Sequence, residues 1–209
     1  MTPENTTENT LQTLQENLAK HAGKYVKSCH NLLCVIIFTL INIFLLLTNS
    51  NSYFLFSAAI PRTLIDLGMF MCGKYPLEYY GNVLSYSFYG NGFFIAMIAG
   101  AVIVLGLYLL CWFMAAKKKK GAWLIVGLVL FIVDTIMFFY WYGFATDMII
   151  DLVFRVWIGF SLIQGITSFF SFKKLSAELA AIPQETEVVT EEIDEAAVAE
   201  EETTEENTL

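Results

Sequence analysis

The chain has 209 residues, of which 56% are hydrophobic, and its formal net charge is −8. Its mean hydropathy of +0.59 lies well above that of an average soluble domain, so the composition excludes an ordinary soluble protein and indicates a membrane protein. The acidic excess also argues against nucleic-acid binding, because acidic residues repel phosphate.

Residues 1–30 are predicted to form a cytoplasmic lead-in. Leu11, Leu14, Leu18 and Tyr25 recur at helical spacing and give one apolar stripe. Such an amphipathic helix can lie on the inner leaflet of a membrane. The alternative is a weak, frayed extension of the helix that follows, and the short pattern leaves both interpretations open.

Four apolar runs are each long enough for one membrane crossing, since a bilayer core of about 30 Å needs about 20 apolar residues as helix. The first run is predicted to be an uncleaved helix and not a signal peptide, because a long polar segment precedes it and no cleavage site follows closely. The predicted transmembrane helices are 31–48, 93–114, 122–143 and 151–172, with turns at 115–121 and 144–150 between the last three.

The loop at 49–92 is predicted to carry a short helix at about 61–72. Pro61 suits a first helical position, and Gly73 can end the helix. Arg62 and Asp66 lie one helical turn apart and are predicted to pair. A fifth crossing would place both charges in mid-membrane, so we expect this helix on the outer membrane surface or tucked among the other helices.

Basic residues near the ends of the spans predict the orientation, because cytoplasmic flanks carry the excess of Lys and Arg. One side carries nine of them: Lys20, Lys24, Lys27, Lys117, Lys118, Lys119, Lys120, Lys173 and Lys174. The other side carries Arg62, Lys74 and Arg155. We therefore predict a multi-pass protein of the cell membrane with both termini in the cytoplasm.

The C-terminal segment 173–209 is predicted to be a cytoplasmic tail, disordered from about residue 183. From there to the end it has eleven acidic residues and no basic residue. Few large apolar side chains are present, so this segment cannot bury enough surface to fold. The sequence as a whole predicts an all-α integral membrane four-helix bundle with an N-terminal amphipathic helix, a short extracytoplasmic helix and an acidic tail.

Asp134 and Arg155 are ionisable residues within the third and fourth spans. If these spans form an antiparallel hairpin, both lie about ten residues from its midpoint and meet at one depth. Pairing would relieve the cost of a lone intramembrane charge. Asp147 and Asp151 precede Arg155 by two turns and one turn, so they compete for it. The cluster is interpreted as structural, as a polar path for substrate or protons, or as a lipid-facing Arg155 that reaches outward.

No motif of known chemistry occurs in the chain. Its four cysteines lack the C-x-x-C spacing, and its two histidines form no known metal motif, so we expect no metal and no cofactor. We predict a non-enzymatic accessory or interaction protein, whose acidic tail or outer loop contacts a protein partner. The alternatives are a small transporter or channel subunit that uses the Asp/Arg cluster and, third, a membrane enzyme with Asp66 or Glu78 at its outer face.

Four segments carry a resemblance to small multi-pass membrane proteins of bacterial genomes. They are "SYFLFSAAIP" at 52–61, "DLGMFMCGKYP" at 66–76, "SFYGNGFF" at 87–94 and "TDMIIDLVF" at 146–154. The resemblance covers roughly residues 30–175 and implies a four-span fold. It implies no activity, ligand or catalytic residue.

Overall fold

The computed structural model describes residues 3–48, 50, 53–81, 88–143 and 149–181, with side chains from residue 10 onward. These residues form α-helices and one 3-10 turn at Leu77–Tyr80, and they contain no strand. The helices are α1 (Pro3–Leu47), α2 (Ala59–Met71), α3 (Asn91–Ala116), α4 (Ala122–Tyr142) and α5 (Ile149–Ala180).

Four of these helices, α1, α3, α4 and α5, are long and apolar enough to cross a membrane. In chain order, these four helices correspond to the four predicted transmembrane helices. The end of the bundle that carries Lys117–Lys120 is called the lysine end below, and the opposite end, with residues 72–81 and 88–90, the loop end. The predicted tail from residue 183 lies outside the described residues, and so does most of the predicted turn at 144–150.

The first helix differs most from its prediction, because α1 is one continuous helix of 45 residues. The predicted boundary at residue 31 between an amphipathic lead-in and a span falls within this continuous helix. Side chains that precede that boundary are already packed into the bundle. Tyr25 donates a hydrogen bond of 2.8 Å to the Ala115 carbonyl oxygen, and Ser28 donates one of 2.6 Å to the Ser161 carbonyl oxygen. The chain has no proline between these contacts and the first span, so the helix runs through.

Helix α5 also extends beyond its predicted end at residue 172, to Ala180. Small residues let it approach α1 closely. A Cβ atom at Gly165 would lie 2.4 Å from the Ser28 Cβ and 2.9 Å from a methyl group of Leu124. Leu32, Leu124 and Leu162 are fully buried around this contact. Helices α1, α4 and α5 therefore meet in the core of the bundle, to which α3 contributes Tyr108, Cys111 and Ala115.

Helix α2 lies among the other helices, which is one of the two positions predicted for it. Ile65 and Met69 are buried against Leu46 of α1 and Ala101 of α3. A Cβ atom at Gly68 would lie 3.0 Å from the Met97 Cβ, so α2 packs closely on the first turns of α3. The chain enters the bundle as a non-helical segment at 53–58 and returns to the loop end as α2.

The two ends of α2 compare differently with their predictions. Its start is Ala59, so Pro61 is the third helical residue and the predicted first position is wrong. Its C-terminus agrees with the prediction, because Gly73 adopts a positive φ of 67°. The Gly73 and Lys74 amides donate to the carbonyl oxygens of Phe70 and Met69, which is the pattern of a Schellman motif.

Candidate functional site

The charged centre of the bundle is Asp134, near the middle of α4. Its carboxylate is fully buried and accepts hydrogen bonds of 2.8 Å from the backbone amides of both Ala59 and Ile60. These amides form the first turn of α2, where helical N–H groups have no partner within the helix. Ala58 at the N-cap has no side-chain oxygen to offer. Asp134 therefore caps α2 from another helix and places a negative charge at its positive end.

Arg155 of α5 completes this centre. Its Nη1 atom lies 3.0 Å from Asp134 Oδ2, and its Nη2 atom donates to the Ser57 carbonyl oxygen at 3.4 Å. The guanidinium carbon lies 4.2 Å from the centre of the Phe138 ring, which adds a cation–π contact. Arg155 is buried, so the hypothesis that it reaches outward to the membrane surface is wrong.

Two polar side chains of α1 hold the segment that leads into α2. The Asn42 carboxamide bonds to both the amide and the carbonyl oxygen of Phe54, at 2.7 and 2.6 Å. Its nitrogen also donates to the Ser57 hydroxyl at 2.7 Å. Thr39 accepts the Ala58 amide at 2.7 Å. A buried non-helical backbone needs such partners, because its N–H and C=O groups are shielded from water.

Phe56 marks strain within the same segment. Its φ of 70° is rare for a bulky side chain and persists only where the surroundings enforce it. The surroundings here are aromatic: the Phe56 ring centre lies 4.1 Å from that of Phe154 and 5.9 Å from that of Trp157, both on α5. Packing on α5 thus fixes the bend that directs the chain toward Asp134.

Asp151 and Asp147 are the two acids predicted to compete with Asp134 for Arg155. Asp151 is buried, and its carboxylate is close enough to the Tyr53 hydroxyl and to the guanidinium groups of Arg155 and Arg62 to interact with them electrostatically. Among the described residues, however, the ion pair of Arg155 is made with Asp134. Asp147 lies outside the described residues. The structure therefore joins Asp134 with Arg155 and places Asp151 next to them.

Two buried polar atoms beside the centre have no hydrogen-bond partner in the described part of the chain. They are the hydroxyl oxygen of Tyr108 on α3 and the Nε atom of Arg155. Tyr108 is 1% exposed, and its hydroxyl is close enough to feel the charges of Asp134 and Arg155. A buried group without a partner carries a desolvation penalty.

A cleft of about 720 Å³ opens at the loop end, between α2, the C-terminal ends of α1 and α4, and residues 75–79. Arg62 and Asp66 of α2 line it, but they form no ion pair among the described residues, so the predicted pairing is wrong. The guanidinium of Arg62 instead lies 4.9 Å above the centre of the Tyr53 ring. The Tyr75 hydroxyl donates to the Asp66 carboxylate.

Tyr75 is the neutral donor in this cleft. Partial burial and the neighbouring Asp66 carboxylate raise the pKa of the Tyr75 hydroxyl well above its usual value. The hydroxyl therefore stays protonated at physiological pH and remains a donor. The Tyr75 ring stacks on that of Tyr79, with ring centres 5.1 Å apart, and the two form one aromatic wall.

The predicted topology determinants lie away from both sites. All six side chains are exposed: Lys117, Lys118, Lys119, Lys120, Lys173 and Lys174. Lys174 makes an exposed ion pair of 3.7 Å with Glu178, which contributes little stability. Their exposure is compatible with a membrane boundary at the lysine end.

Sequence reasoning missed the residues that position the charged centre. Thr39 and Asn42, to which the sequence assigns no role, bind the backbone of residues 54–58. Polar residues inside an apolar run were the available signal. The sequence could not indicate which groups they bind, because these partners are backbone groups, which are the same at every position.

The two sites consist of a buried ion pair and of a cleft lined by charged and aromatic side chains. Among the described residues, no group of three or more His, Cys, Asp or Glu side chains is placed to hold a metal ion. Comparison of the chain with models of protein families, with curated proteins and with solved structures finds no match.

Proposed function

We propose that the protein is a four-span integral membrane protein of the cell membrane, with both termini in the cytoplasm. Its role is that of a non-enzymatic accessory or interaction protein. In this arrangement the lysine end faces the cytoplasm and the loop end faces outward. The loop end and the acidic tail are then the two parts offered to a protein partner.

The burial of the charged centre carries this proposal. Intramembrane charges usually mark a path for substrate or protons, and such a path requires access to water. Asp134 is 0% exposed, and its two oxygens are occupied by the amides of Ala59 and Ile60 and by Arg155. The charges therefore support the fold of α2 and leave no open polar path at Asp134.

A small transporter or channel subunit remains the second candidate. The observation that favours it is the pair of unsatisfied atoms, Tyr108 Oη and Arg155 Nε, beside the ion pair. A carboxylate-reactive carbodiimide that modifies Asp134 in sealed vesicles would show that water reaches this centre. Protection of Asp134 under conditions that modify the exposed Glu78 supports the accessory role instead.

The interaction role is tested by affinity purification from native membranes. The full chain, a variant without residues 183–209, and a variant with Leu77→Ser and Tyr79→Ser are compared. Leu77 and Tyr79 are 76% and 66% exposed at the loop end, so their replacement should leave the fold intact. A partner that is retained by one variant and lost from the other identifies the contacting part. Identical protein sets from all three forms would contradict both proposed contact regions.

The orientation is tested by labelling single cysteines with an impermeant maleimide in a cysteine-free background. Tyr79→Cys should react in intact cells, and Lys119→Cys should react only after permeabilisation. Both parent side chains are exposed, so access depends on the side of the membrane and not on packing. Labelling of position 119 from outside would invert the proposed arrangement.

A further inference from the structure

The cleft at the loop end holds two opposite charges that do not neutralise each other. Arg62 forms no ion pair among the described residues: its guanidinium lies over the face of Tyr53, and the Asp151 carboxylate acts on it from beyond ion-pair distance. Asp66 accepts from the neutral Tyr75 hydroxyl and has no basic partner within ion-pair distance among the described residues. Half-buried charges of this kind are complementary to a ligand that carries one charge of each sign.

The spacing of these charges sets the size of the ligand's polar part. Arg62 and Asp66 are four residues apart on α2, so they lie about one helical pitch, roughly 5.4 Å, apart along the helix. Arginine binds phosphate through two parallel hydrogen bonds. A primary ammonium donates up to three hydrogen bonds, which Asp66 can accept, and the Tyr75 and Tyr79 rings add aromatic faces that attract a cation.

The surroundings of the cleft indicate a lipid as the source of this ligand. Trp141 lines the cleft, and aromatic residues at a span end are typical of the membrane–water interface. A narrow apolar groove of about 50 Å³ between α2 and α4 adjoins the cleft and shares Thr63, Leu67 and Trp141 with it. Leu64 and Met137 line the remainder of the groove, so an acyl chain could follow a head group into the structure.

From these observations we propose that the cleft binds the head group of a phosphatidylethanolamine-type lipid, with its phosphate on Arg62, its ammonium on Asp66, and the start of an acyl chain in the adjoining groove. The cleft volume of about 720 Å³ is in the usual range for a small-molecule site. The inference rests on the proposed membrane location but not on the accessory role.

Native mass spectrometry of the delipidated full chain in detergent tests this assignment. Three short-chain lipids with identical acyl chains are titrated: phosphatidylethanolamine, phosphatidylcholine and phosphatidylglycerol. Phosphatidylethanolamine should bind at least about tenfold more tightly than the other two, because one charge-assisted hydrogen bond is worth about that factor. The quaternary ammonium of phosphatidylcholine donates no hydrogen bond, and phosphatidylglycerol has no cation.

The variants separate the two charges. Asp66→Asn should abolish the preference for phosphatidylethanolamine over phosphatidylglycerol, whereas Arg62→Gln should weaken the binding of all three lipids. Lys74→Gln and Glu78→Gln are the matched controls, because they remove the same charges from the same end without lining the cleft. Both controls should bind as the unaltered chain does.

Free phosphoethanolamine distinguishes a lipid from a soluble ligand. Weaker binding of the free compound supports the lipid and the use of the groove; equal binding supports the same charge recognition but assigns a soluble source. Equal affinity for the three lipids, or variants that behave as the controls do, would overturn the proposal. If a variant fails to fold, the ranking of the lipids on the unaltered chain still decides. The test is made in detergent, so its failure leaves the proposed topology and accessory role untouched.

Discussion

Replacement of Asp134 by Asn should destabilise the protein more than replacement of Arg155 by Leu. The asparagine oxygen can accept one of the two amides that Asp134 binds at 2.8 Å, but its NH₂ group then faces the other. One unpaired buried amide costs about 1–3 kcal/mol. The Arg155 guanidinium also loses its counter-ion, and breaking a buried pair costs about 3–5 kcal/mol. The expected loss is therefore about 4 kcal/mol or more.

Arg155→Leu leaves the buried carboxylate of Asp134 without its counter-ion. The carboxylate of Asp134 keeps both amide donors and the positive end of α2, which together stabilise a buried negative charge. We expect a loss toward the lower end of the 3–5 kcal/mol that breaking a buried pair costs, about 3 kcal/mol. The double variant contains no buried charge and should be more stable than Asp134→Asn alone, although its α2 still lacks a full cap.

The assay is unfolding of the purified protein in mixed detergent micelles, followed by helix content, with membrane abundance as a second measurement. Thr135→Val is the matched control, since Thr135 lies 3.4 Å from Arg155 Nη1 but carries no charge. Hydrogen exchange adds a local measurement, in which the amides of Ala59 and Ile60 should exchange faster in Asp134→Asn than in Arg155→Leu. Strictly additive single effects, or a larger loss for Arg155→Leu, would refute this account of the centre.

Other contacts lead to simpler tests, each read as a free energy of unfolding in the same assay. Gly165→Ala should cost about 1–3 kcal/mol, because its Cβ would lie 2.4 Å from that of Ser28. Gly159→Ala is the control and should cost nothing, because its Cβ would meet nothing within 4 Å. Equal effects of the two substitutions would contradict the close contact of α1 with α5. Tyr108→Phe removes a buried hydroxyl that has no partner in the described residues and should leave stability unchanged or raise it by up to about 1 kcal/mol. A clear loss there would reveal a partner for that hydroxyl.

The number and order of the long helices could be predicted because each rests on a local property. Four apolar runs give four helices long enough to cross a membrane, and the lengths of these runs place α3 and α4 within two residues of their observed ends. Polarity changes near residue 31, but α1 continues through that position as one helix. Tyr25 and Ser28, which precede the change, pack into the bundle through hydrogen bonds.

The sites were less accessible to sequence reasoning, for a physical reason. Asp134 and Arg155 could be placed at one depth by counting from a turn, and they meet at 3.0 Å. The cap on α2 joins Asp134 to an amide 75 residues away, and a backbone amide leaves no trace in the sequence. Arg62 and Asp66 have the spacing of a helical ion pair. Arg62 instead contacts the Tyr53 ring, and Asp66 accepts a hydrogen bond from Tyr75, and both tyrosines lie outside the helix.

The cap that α4 provides for α2 also constrains the order in which the chain can assemble. Residues 53–71 leave the ribosome well before Asp134, and Arg155 follows later still. Until α4 and α5 have been inserted, the amides of Ala59 and Ile60 have no carboxylate to bind and must stay where water can reach them. In the proposed membrane arrangement, we therefore expect the segment to stay outside the lipid and to dock after α4 and α5, which are synthesised later. A chain arrested before α4 would expose this segment to proteases, whereas a chain arrested after α5 would protect it.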